Sequence, residues 1–178
     1  INTGYAASYD MDIQCVLGYE SGMNGSVTKD WAAKKNTYQN DAVFGLMLPI
    51  NRDNGEYLEK YAGNRGMKDV QTLEDGSYRG HSVMNGVNIY YMVPSKAYIE
   101  YKWEVVKSYL DTGIVDVIAF EEPEYWNNAG FSDSFKEAYE EYYGTKWDHP
   151  AHSATAMYQT QYFKAKMFYD AFVTLSSR

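Results

Sequence analysis

Four short runs rich in apolar residues punctuate the chain: Ile13–Leu17, Ala42–Leu48, Val87–Val93 and Val115–Phe120. Each stops at a proline or glycine with polar residues just beyond. A run that is apolar on both alternating faces predicts a strand buried on both sides, as in a parallel sheet. Pro49, Pro94 and Pro123 cannot donate to a ladder, so the strands should end there. Helical periodicity separates the last two runs. Over Lys96–Asp111, Ile99, Trp103, Val106 and Leu110 fall on one stripe, with Ser95 before it as a cap and Gly113 after it. Strand, helix, short loop and strand predict a βαβ unit with parallel pairing.

The remaining elements follow from local signals. Thr28 caps a predicted helix over Lys29–Tyr38, with Asp30 in its first turn. Glu74-Asp75-Gly76 predicts a small hairpin turn between Val70–Leu73 and Ser77–Arg79. Ser134-Phe-Lys-Glu137 reads as a capping box for a helix that Gly144 ends. Ser153 opens a long helix whose marked face is Tyr158, Tyr162, Ala165, Tyr169 and Phe172. No well-formed helix is predicted between the second and third strands. The expected fold class is α/β, of the (β/α)8 TIM-barrel type, with only the first half (strands 1–4) present. Residues 1–178 would be the N-terminal half of that domain, since a complete barrel needs roughly 250 residues. The chain would then be a fragment, or would close through the remaining half supplied by the same or another chain.

Composition narrows the partners. There are 16 Lys+Arg against 24 Asp+Glu, a net charge of −8, which argues against nucleic acid and anionic membranes. No apolar run approaches a membrane span. The chain starts at Ile1 rather than Met, so it is expected to be processed or cut from something longer. Cys15 stands alone and permits no internal disulfide. With 19 tyrosines the chain is rich in flat faces with a polar edge, which serve cores, interfaces and sugar clefts alike. His149-Pro-Ala-His152 has a His-x-x-His spacing, but Pro150 opposes the helix that would align the rings. Gly63-Asn-Arg-Gly66 lacks the strand and helix of a phosphate loop. No metal or cofactor is expected.

The chemistry converges on Val115–Trp126, where an apolar run meets Glu121, Glu122 and Glu124 around Pro123. Glycoside hydrolysis needs a carboxylic acid that protonates the leaving oxygen and a second carboxylate opposite it. Crowded carboxylates raise one another's pKa and make such a donor usable near neutral pH. Glu121 and Glu122 point to opposite faces of an extended strand, so one of them, Glu122, is chosen to face the cleft. As a bare pattern, the same glutamates equally fit a role in capping the following loop or pairing with Lys and Arg. Tyr125 and Trp126 could stack on a sugar ring or anchor a core. Asn51, Arg52 and Asp53, at the end of the second strand, could bond a sugar or form a plain polar loop.

Phe120–Glu124, Phe-Glu-Glu-Pro-Glu, resembles the Asn-Glu-Pro motif that closes the fourth strand of clan A glycoside hydrolases. Phe131–Trp147 is similar to the helix after that strand in β-galactosidase-like members. The resemblance implies a hydrolase acting on an O-glycosidic bond, with Glu122 as general acid/base. Glu121 then stands where the family has the Asn that contacts the sugar 2-hydroxyl. A carboxylate accepts there but does not donate, so the substrate is expected to differ, and a carbohydrate-binding protein without catalysis is the alternative. The family's nucleophile lies on the seventh strand, to which no residue here corresponds.

Overall fold

The computed structural model describes residues 15–19, 43–53, 55–84 and 86–178. The helix expected over Lys29–Tyr38 lies outside them. The described chain forms two compact units, one built from residues up to Ile50 with Lys102–Glu122, the other from Asn51–Tyr101 with Pro123–Arg178.

The first unit holds a three-stranded parallel sheet, ordered β1 (Cys15–Tyr19), β2 (Val43–Pro49) and β6 (Val117–Glu121). Phe44, Leu46 and Leu48 are buried on β2, the central strand. Asp116 fixes the register at the start of β6. Its carboxylate accepts from Phe44 N–H at 2.8 Å, and its own N–H donates to Phe44 C=O at 2.8 Å. The second part of helix α1 (Lys96–Leu110), from Lys102, belongs to this unit, and Val105, Val106 and Tyr109 are buried on it.

The second unit holds an antiparallel sheet, ordered β3 (Arg52–Asp53), β5 (Val87–Tyr91) and β4 (Gly80–Met84). Helices α2 (Asp133–Tyr143) and α3 (Ala154–Ser176) complete it. Phe135 and Tyr139 of α2 meet Phe163 and Met167 of α3 in an aromatic core that also takes in Val93. Burying each such side chain is worth about 1.5–3 kcal/mol. Ser153 accepts from Ala156 N–H at the start of α3, and Gly144 takes the left-handed conformation (φ 67°) that ends α2.

The expectation of half a (β/α)8 TIM barrel is overturned. The third predicted strand, Val87–Val93, does not join the parallel sheet. Its first five residues form β5, which pairs antiparallel with β4, while β6 lies directly beside β2. The reason is a hairpin. β4 ends at Met84 and β5 starts at Val87, Gly86 takes φ 78°, and β5 is satisfied by the strand just before it. The strands are also less enclosed than a barrel requires: Val117 is 49 % exposed and Val83 65 % exposed. Two helix readings change as well. Ser134 does not cap α2 in a box. Ser132 holds the cap position, while the Ser134 hydroxyl donates to Lys68 C=O at 2.6 Å and Glu137 pairs with Lys68. On α3 the tyrosine face is the exposed one, with Tyr158 and Tyr169 each 68 % exposed, and the helix packs instead through Ala156, Phe163, Met167 and Ala171.

Candidate functional site

The acidic stretch falls on both units, and each part stands in a different setting. In the first unit, β6 carries the chain to Glu121, which lies opposite Pro49 in the parallel register. Its carbonyl accepts from Ile50 N–H at 3.2 Å, so the strand end is held to its last residue. Glu122 follows with φ 49° and an exposed side chain. Among the described residues it is the only non-glycine in the left-handed region, a conformation that costs an L-residue about 1–2 kcal/mol.

In the second unit, two buried amides hold the loop that starts at Pro123. The Asn51 side-chain N–H donates to Glu124 C=O at 2.6 Å. Gln71 donates to the same carbonyl at 2.8 Å and to Met92 C=O at 3.2 Å, and its Oε1 accepts from Trp126 N–H at 3.1 Å. Gln71 thus supplies what a neighbouring strand would supply to the segment Glu124–Trp126. Both amides are fully buried. Asp53, also buried, is used in the same structural way. Its carboxylate accepts from the N–H groups of Gly55, Tyr57 and Leu58 and caps the helical turn Tyr57–Tyr61.

Tyr125 points into the core, 5.3 Å from the Phe135 ring and 6.4 Å from the Phe168 ring, and burial pushes its hydroxyl far above the ordinary range. Its neighbours Glu124 and Trp126 face the other way and join a polar aromatic platform centred on Tyr91. The Tyr91 phenol lies within the influence of the Glu124 carboxylate and makes a T-shaped contact with Trp126 at 5.7 Å. Its pKa is pushed up to about 12, first by burial and then by the Glu124 hydrogen bond and charge, partly opposed by Trp126 and Arg52. On the sheet, Arg52 lies opposite Tyr91, and the Arg52 Nη1 sits 3.0 Å from His81 Nε2. A guanidinium only donates, so Nε2 accepts. The neutral ring then carries its proton on Nδ1, which donates to the Ser82 hydroxyl at 2.7 Å. The guanidinium of Arg79 lies 3.5 Å from the centroid of the Trp126 ring, a cation–π geometry.

The loop continues past Trp126 into a cleft of about 380 Å³, lined by Asn127, Asn128, Phe131, Glu74 and His149 among others. His149 Nδ1 accepts from Ala151 N–H, which leaves Nε2–H to meet Glu74 at 3.1 Å. His152 bonds Asp148 at 2.7 Å. Among the described residues no three His, Cys, Asp or Glu side chains come together as a metal site.

The structure thus brings Glu124 and Trp126 together, uses Asn51 and Asp53 as supports, and sends Tyr125 inward. Gln71, Arg79, His81 and Tyr91 carry no signal in the sequence. The predicted Glu74-Asp75-Gly76 turn does form and sets Gln71 opposite Arg79, whose N–H donates to Gln71 C=O, but no signal marks the pairing of this hairpin with Tyr91. Comparison of the chain with protein-family models, with curated proteins and with solved structures finds no match in any of the three.

Proposed function

We propose that this protein acts on carbohydrate, as a glycoside hydrolase in which Glu122 is the general acid/base. The observation that carries the reading is the backbone of Glu122. A glutamate held left-handed, with an exposed side chain, directly after a parallel strand carries a local backbone cost, and such strain gathers at functional positions. The carboxyl ends of parallel strands are also where α/β sheets bind their ligands. A proton donor there would protonate the glycosidic oxygen as the bond to the anomeric carbon breaks, and would later take a proton from the attacking water.

The test is hydrolysis of a panel of aryl glycosides by the protein and by Glu122→Gln. The variant keeps the shape and loses the proton, and turnover is expected to fall at least about 100-fold. Unchanged turnover on every glycoside cleaved removes Glu122 from the role. A second reading, binding without catalysis, is favoured by the Tyr91 platform and the adjoining cleft, which offer polar groups beside aromatic rings. Saccharide binding by calorimetry with no product released would select it.

A further inference from the structure

We infer that Arg79, stacked on Trp126, is a binding site for the carboxylate of an acidic sugar. The inference rests on the carbohydrate reading for the class of ligand, and on the geometry of the second unit for the charge. The chain is acidic overall, at −8, and its exposed cations mostly have acid partners: Lys68 with Glu137, Lys96 with Glu141, Lys166 with Asp170, Arg178 with Glu100. Arg79 has none among the described residues. Its Nε is buried without a hydrogen-bond partner, and its guanidinium plane is held against the Trp126 ring, 3.5 Å from the centroid. Glu124, whose carboxylate acts on the Tyr91 phenol, makes no ion pair with Arg79.

Stacking on an indole leaves the edge of a guanidinium open, and that edge is a planar fork of donors that matches a carboxylate bidentately. The support beneath it is rigid. Arg79 N–H donates to Gln71 C=O at 2.8 Å, Arg79 C=O accepts from Tyr91 N–H at 3.0 Å, and Trp126 is tied to the Gln71 side chain at 3.1 Å. The fork is thus fixed on both the strand side and the loop side by one residue, Gln71. Trp126 is 36 % exposed, so a sugar ring bearing the carboxylate has an apolar edge to lie against. A neutral sugar would leave the guanidinium as it stands and would gain only the ring contact.

Calorimetry on the full chain with a galacturonate trisaccharide and with its methyl ester tests this directly, because esterification removes the charge and keeps the sugar. The acid is expected to bind at least about tenfold more tightly than the ester, the worth of a charge-assisted hydrogen-bonded pair. Arg79→Gln should abolish that difference. Arg79→Lys, which keeps the charge and loses the fork, should retain part of it, and far-UV circular dichroism checks that both variants fold. Equal affinity for acid and ester, binding of neither, or an undiminished preference in a folded Arg79→Gln variant would each overturn the site. The outcome is separate from that of Glu122. A Glu122→Gln protein with full turnover but an Arg79-dependent preference for the acid would end the hydrolase reading and leave this one standing.

Discussion

Gln71 offers the sharpest test of how the platform is built, because one side chain holds three backbone groups. Replacing it with Met keeps the length and the burial and removes every hydrogen bond. Trp126 N–H then loses its partner, Met92 C=O keeps only a 3.5 Å contact from Asn51, and Glu124 C=O falls back on Asn51 alone. An orphaned donor costs about 1–3 kcal/mol and each lost but partly replaced bond about 0.5–1.5 kcal/mol. The expected loss for Gln71→Met is therefore about 2–6 kcal/mol, a large part of a domain's stability. Urea titration at neutral pH, followed by circular dichroism, measures it from the shift in midpoint at constant slope. Gln71→Glu should do at least as much harm, since it keeps the acceptor for Trp126 N–H and sets a carboxylate against two carbonyls. Paired with Asn51→Leu, the Gln71 change should be non-additive, because both amides serve the Glu124 carbonyl. A loss below about 0.5 kcal/mol for Gln71→Met would refute the claim that this amide holds the loop.

Other expectations concern charge and capping. Lys164 is buried with its ammonium on Trp126 C=O and Asn127 C=O, and burial pulls its pKa down to about 8. The native state gives up this proton before the unfolded state does, so stability should rise from pH 8 towards the ordinary lysine range of 10.5. The gain is on the order of 3 kcal/mol at most, less what solvent screening removes, and it should vanish in Lys164→Met on urea titration across that range. Tyr91 sets the opposite slope. Its folded pKa lies above the unfolded value, so its contribution is complete below pH 10 and is lost as pH rises through about 12, a fall that Tyr91→Phe should lessen. Asp53→Ala removes the acceptor for three N–H groups and should lower stability by about 1–2 kcal/mol in a thermal melt.

What could be read from the sequence was local. The long helix opened by Ser153, the stop at Gly144, the helix after Ser95 and the strand ends at Pro49 and near Pro123 follow from caps and prolines whose physics acts within a turn or two. Partner choice did not follow. Val87–Tyr91 is as apolar as a parallel strand, and only Asn85-Gly86 marks it as the return arm of a hairpin. On α3 the tyrosine stripe does not mark the packed face, because the polar edge of a tyrosine suits the surface as well as the core. Tyr158 and Tyr162 stack on each other at the surface, 6.1 Å apart, with their hydroxyls free to meet water. In the candidate site the acids and Trp126 stood out as a cluster, whereas Gln71 and Arg79 owe their roles to contacts with residues about 50 positions away.

The most direct measurement of the catalytic reading compares two leaving groups. An acid/base residue matters most where the departing oxygen needs a proton and least where it leaves unaided. For Glu122→Gln, kcat/KM should fall at least about 100-fold on an alkyl glycoside and only slightly on the dinitrophenyl glycoside of the same sugar. Equal losses on both substrates, or no loss on either, would contradict the assignment of proton transfer to Glu122.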